Sequence, residues 1–154
     1  GKTRPSPEQI WDGILSAGKL IYAVATDDSH HYHDFTPNMA NPGRGWICVQ
    51  AESLSESSIM DSIKNGDFYA STGVYLAELE KSDKAINISI STDEDDPLNV
   101  PEYVTTITGY EGDILHETDS LHVNYELPQN THYARATIKS SGGFKAWTQP
   151  VFKH

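Results

Sequence analysis

The feature that most constrains this chain is a change of hydrophobic period at Gly73. Before Gly73, apolar residues fall at helical spacing or in short continuous blocks. After it, they alternate. Ile86-Asn87-Ile88-Ser89-Ile90, Leu121-His122-Val123-Asn124-Tyr125-Glu126-Leu127 and Tyr133-Ala134-Arg135-Ala136-Thr137-Ile138-Lys139 each follow a period of two. A strand turns successive side chains to opposite faces, so this pattern predicts half-buried strands. Residues 103–108, 113–116 and 145–148 are further candidates. Turn clusters such as Ser82-Asp83-Lys84, Glu111-Gly112-Asp113 and Ser141-Gly142-Gly143 separate them. Short strands at this spacing predict an antiparallel β-sandwich domain over 76–154. The acidic run Asp93, Glu94, Asp95, Asp96 reads as a solvated turn rather than a cation loop.

Residues 1–75 read differently. Ser6 is placed to cap a helix, Pro7 suits its first position, and Gln9 completes a capping box. Ile10, Ile14 and Leu15 give that helix an apolar stripe beside Trp11, and Gly18 stops it. Leu20-Ile21-Tyr22-Ala23-Val24-Ala25 is apolar on both faces, the signature of a parallel strand covered on both sides. A polar loop from Ser29 to Arg44 follows, broken by Pro37, Pro42 and Gly43. The spacing then predicts a strand over 45–51 and a helix capped by Ser55. That helix has Ile59, Met60 and Ile63 as its buried stripe and Asn65-Gly66 as its stop. A short strand over 67–71 ends in the turn Ser71-Thr72-Gly73. The expectation is α/β for 1–75, followed by the β domain.

Composition removes several function classes. The net charge is −11, and neither half has a basic patch, so nucleic acid is not the expected partner. No apolar run approaches the length of a membrane span. Cys48 is the one cysteine, which excludes an internal disulfide framework; in a strand it reads as a buried structural thiol. The absence of an initiator Met reads as a piece of a longer protein, and the compartment stays open.

The run Thr26-Asp27-Asp28-Ser29-His30-His31-Tyr32-His33 carries the candidate chemistry. Asp28 and His30 stand at i and i+2, so an extended backbone points both the same way. A carboxylate and an imidazole together suit Zn, Mn or Fe. His31, His33 and Asp27 are further candidate ligands. The alternative is a polar loop with exposed histidines. His116, His122 and His132 lie on separate predicted strands and assemble nothing from sequence. Asn87-Ile88-Ser89 matches a glycosylation sequon but falls mid-strand.

Asp28-Ser29-His30 resembles the last metal-binding motif of the PHP (polymerase and histidinol phosphatase) superfamily. The ordered set extends the resemblance: a helix, an apolar strand, Asp-Asp-Ser-His-His, Gly43-Arg44-Gly45-Trp46, a helix, Phe68-Tyr69-Ala70-Ser71-Thr72-Gly73, and a closing 145–152. Together these are similar to CehA/McbA-like metal-dependent phosphoesterases over nearly all of 5–152.

The resemblance implies that 1–75 is the last fraction of a PHP-type (β/α)7 barrel and 76–154 its carboxyl-terminal β domain. It implies divalent metal ions in the parent protein, with Asp28 and His30 among the ligands. The substrate would be a phosphorylated small molecule, with Arg44 neutralising its anion and Ser71 or Thr72 hydrogen-bonding it. The His-x-His motif that opens the family's ligand set is absent. The implied partner is therefore the missing amino-terminal part of the barrel. This chain alone should be inactive and bind metal weakly or not at all. Exposed strand edges would favour pairing with a second copy. A non-catalytic β-sandwich attached to a degenerate PHP domain is the competing expectation.

Overall fold

The structure is a computed structural model that describes residues 3–92 and 99–154. The acidic run at 93–96 lies outside them. Among the described residues there are two α-helices, α1 (Pro7–Ser16) and α2 (Glu56–Asn65). The strands are β1 (Trp46–Val49), β2 (Phe68–Ser71), β3 (Leu76–Lys81), β4 (Ala85–Ile90), β5 (Tyr103–Thr108), β6 (Ile114–Thr118), β7 (His122–Glu126), β8 (Tyr133–Ser140), β9 (Lys145–Thr148) and β10 (Val151–Phe152). One sheet runs β1–β2–β9–β8–β5–β6, with β10 also on β8; the other runs β3–β4–β7. Among the described residues every pairing is antiparallel.

The expected barrel portion is therefore overturned. β1 and β2 flank α2 as predicted, but they pair antiparallel, with Trp46 opposite Ser71 and Val49 opposite Phe68. β2 then pairs antiparallel with β9, Ala70 opposite Trp147. A (β/α)7 barrel requires parallel strands joined through crossover helices. Here the strands before residue 75 join the same antiparallel sheet as β8 and β9. Residues 20–26, expected as a strand, form no regular element. An extended segment laid on a sheet face has the same two-sided apolar composition as a buried parallel strand, so composition could not separate them.

The two sheets pack face to face as a sandwich. Ile86, Ile88 and Ile90 of β4 and Val123 of β7 meet Ile107 of β5, Ala134, Ala136 and Ile138 of β8 and Ala146 of β9. Alternation along β8 sorts its two faces. Ala134, Ala136 and Ile138 enter this core, while Tyr133 and Arg135 turn to the opposite face, under α1. Each fully buried Ile contributes roughly 1.5–3 kcal/mol, so β4 is a main source of stability in the small sheet.

α1 is capped as its sequence predicts. Ser6 Oγ accepts from Gln9 N, and Gln9 Oε1 accepts from Ser6 N. Trp11 and Leu15 are buried, whereas Ile10 is half exposed at 51%. The helix docks through an ion pair. Arg135 Nε and Nη2 each donate to Asp12 at 2.7 Å, Tyr133 OH donates to Asp12 at 3.0 Å, and the guanidinium lies 4.7 Å from the Trp11 ring centre. In α2, Gly66 takes the left-handed cap with φ 76°. Met60 is exposed and Ile59 and Ile63 only half-buried, so the expected stripe packs loosely. Cys48 is half-buried rather than buried.

Candidate metal centre

Residues 20–26 lead the chain to the site, held by side chains rather than by a neighbouring strand. Gln149 Nε2 donates to Ala23 O at 2.8 Å, and Ala23 N donates back to Gln149 Oε1 at 2.9 Å. Trp11 Nε1 donates to Ile21 O. Gln149 is free to do this because Pro150 follows it. Proline has no N–H, so the strand along β8 breaks between β9 and β10, and the fully buried Gln149 side chain turns to Ala23.

Asp27 then closes the neck of a long loop. Its carboxylate accepts from three successive backbone donors: Gly43 N at 3.0 Å, Arg44 N at 2.6 Å and Gly45 N at 2.7 Å. The bonds from Gly45 and Gly43 hold this carboxyl below its ordinary range, and the Arg44 charge adds to them. Gly45 must be glycine for space. A Cβ there would stand 2.9 Å from Thr26 O and 3.0 Å from Thr26 N. Asn41, buried in the loop, donates to the carbonyls of His31 and Asp34. His30 N and His31 N both donate to Ala40 O. The loop is a self-bonded Ω-type structure, which explains its length without a second element.

On this base stand Asp28 and His30. Asp28 has φ 49°, a left-handed conformation that Asp tolerates better than most residues. His30 Nδ1 donates to the Asp28 carbonyl, which can only accept. The neutral ring therefore carries its lone pair on Nε2. That atom lies 3.9 Å from Asp28 Oδ1, and the two side chains are 65% and 91% exposed. Between them, the Ser29 hydroxyl is buried and has no hydrogen-bond partner. Buried polar atoms are ordinarily satisfied, so this hydroxyl is an exception within the loop.

The other predicted site residues are placed elsewhere. His31 and His33 are exposed on the loop, and Asp27 is committed to its neck. Among the described residues, no group of three or more His, Cys, Asp or Glu is arranged to hold a metal ion. Arg44 Nη2 donates to the carbonyls of Thr36 and Pro37 within the loop. Ser71 is fully buried; its hydroxyl donates to Val74 O and accepts from Gly73 N. Thr72 Oγ1 accepts from Lys145 N at 2.9 Å. Ser71 and Thr72 are thus bonded within the chain, while Arg44 uses one guanidinium nitrogen on the loop and is itself exposed. His116 stacks on Tyr125, His132 packs beside Tyr110, and His122 contacts Ser89.

A cavity of about 940 Å³ lies between β1–β2 and β3, with Cys48, Tyr69, Leu79 and Lys81 in its walls. No residue of the 27–45 loop lines it. Among the described residues, no helix is long and apolar enough to cross a membrane. Comparison with family models, with curated proteins and with solved structures gives no match.

Proposed function

We propose that this chain supplies one Asp-x-His pair, Asp28 and His30, to the divalent-metal centre of a PHP-like phosphoesterase. The remaining ligands would come from protein outside these residues. The observation that carries the reading is the 3.9 Å separation of His30 Nε2 from the Asp28 carboxylate, on a loop pinned at its neck. A carboxylate and a neutral imidazole suit Zn, Mn or Fe. The carbonyl of Asp28 fixes the ring tautomer, the role that outer-shell acceptors play for metal-bound histidines.

A bound divalent ion would supply a hydroxide at neutral pH and neutralise charge on phosphoryl oxygens. The chain's own part is positional. Asp27 holds the neck and Asn41 holds the tip, so the backbone that carries the two donors is anchored at both ends. Catalytic zinc sites keep three protein ligands and an open position. Two ligands make a half-site, so this chain alone should not turn over substrate.

Calorimetric titration with Zn tests the reading. Weak uptake that disappears in His30→Ala is expected, together with negligible hydrolysis of a generic phosphodiester. An isotherm unchanged by His30→Ala would remove the assignment. Robust chelator-sensitive turnover by the chain alone would refute the half-site.

A further inference from the structure

A sandwich with unequal sheets leaves part of the wider one uncovered. The large sheet is six strands across and the small one three. At the β1–β2 end this leaves the cavity of about 940 Å³, bounded by residues 48–52, residues 67–69 and the whole of β3. A cavity under one face of a strand touches alternate residues. This one touches all six residues of β3, so it runs along the open edge of that strand. Two links fix its width. Leu76 N donates to Tyr69 OH at 3.0 Å, and Lys81 Nζ donates to Gly66 O at 3.1 Å.

The backbone of that edge is open. Ser82 N donates to Ala85 O and closes the β3–β4 hairpin. From there, bonded and non-bonded pairs alternate along an antiparallel ladder. Glu80 opposite Asn87 is a bonded pair; Lys81 opposite Ile86 and Leu79 opposite Ile88 are not. The N–H and C=O groups of Leu79 and Lys81 therefore point away from β4, on the side of the cavity. Among the described residues, none of these four groups has a hydrogen-bond partner. Side chains sort by the same alternation. Leu79 and Lys81 are half-buried, while Glu78 and Glu80 stand exposed. Glu52 and Asp67 line the slot from the β1–β2 side. Four carboxylates thus line it, and its one lysine is engaged with Gly66.

We propose that this slot docks an extended basic peptide, which adds beside β3 as a fourth strand of the small sheet. Such a peptide brings donors and acceptors to the open groups of Leu79 and Lys81. Its inward residues pass over Cys48 and Tyr69 and should be apolar. Its outward residues lie beside Glu78 and Glu80 and should be Lys or Arg, because opposite charges on neighbouring strands attract and like charges repel. The same rule disfavours a second copy of β3, whose glutamates would meet these. The net charge of −11 draws a cationic segment toward the molecule. No residue of the 27–45 loop lines the slot, so the docking stands apart from the metal reading.

Titration with a capped peptide of alternating Lys and Val, followed by amide resonances and amide exchange, tests the proposal. The amides of Leu79 and Lys81 should shift and gain protection as the peptide binds. Glu78→Gln together with Glu80→Gln should weaken binding by about three- to tenfold, since two exposed ion pairs are lost. Two further peptides, N-methylated at every Val or at every Lys, keep the charge. One of them loses the donors that face β3, and that one should not bind. Unchanged protection at Leu79 and Lys81, equal binding of a Glu–Val peptide, binding that the double variant leaves unchanged, or binding that both methylated peptides retain would each overturn the proposal.

Discussion

Replacing Asp12 with Ala should be the most damaging single change on the α1 face. Arg135 is 3% exposed and directs two donors at Asp12, both at 2.7 Å. Without Asp12 its guanidinium keeps Thr137 Oγ1 and the Trp11 ring, and no counter-charge. Stranding one member of a buried ion pair costs about 3–5 kcal/mol. For a chain of this length each kcal/mol lowers Tm by about 2–4 °C, so the drop should be about 6–20 °C. The pair need not be net stabilising. A packed apolar replacement, Asp12→Leu with Arg135→Met, should recover most of the loss, because both desolvation penalties disappear together. Urea unfolding of the two single variants and the double variant measures the coupling. A loss under about 1 kcal/mol for Asp12→Ala, or additive single losses, would refute the claim that this pair docks the helix.

Three further outcomes follow from the same packing. Gly45→Ala forces a Cβ against the Thr26 backbone, and should cost about 1–3 kcal/mol in urea unfolding and raise amide exchange across the loop neck. Asp27 titrates below its ordinary value of 3.8, so its contribution is present above that pH and is lost as pH falls through the lower folded value. Exchange at Gly43, Arg44 and Gly45 should therefore rise only in strong acid, and Asp27→Asn should raise it at neutral pH. Burial, helped by the Asp12 carboxylate, pushes the Tyr133 hydroxyl up to about 12 from 10.0. Its stabilisation is complete below pH 10 and lost as pH rises toward 12, and Tyr133→Phe should flatten that alkaline loss in thermal melts.

Local chemistry made much of the fold legible. The capping box at Ser6 and Gln9, the left-handed Gly66 and the alternation of β4, β7 and β8 all act within a few residues, and each stands where the sequence places it. β3 escaped notice because a bulge between Leu76 and Glu78 breaks its period. The direction of β1 relative to β2 was not legible, since a strand–helix–strand pattern carries no sign of whether the strands run together or oppose. The 20–26 segment misled for a related reason: its partners are the side chains of Trp11 and Gln149, the latter 126 residues from Ala23. In the candidate site, the Asp28–His30 spacing was readable. The neck formed by Asp27 and the bonds of Arg44 to loop carbonyls were not, because the first depends on a loop closing over 16 to 18 residues and the second on its path over 7 or 8.

The central claim is that Asp28 and His30 together hold a divalent ion, and paramagnetic Mn tests it most directly. In a titration followed by amide resonances, signals from Asp28, Ser29 and His30 should broaden first, and His30→Ala should abolish that order. Broadening that begins at the acids of β3 or at Glu111, or that is unchanged in His30→Ala, would contradict the account.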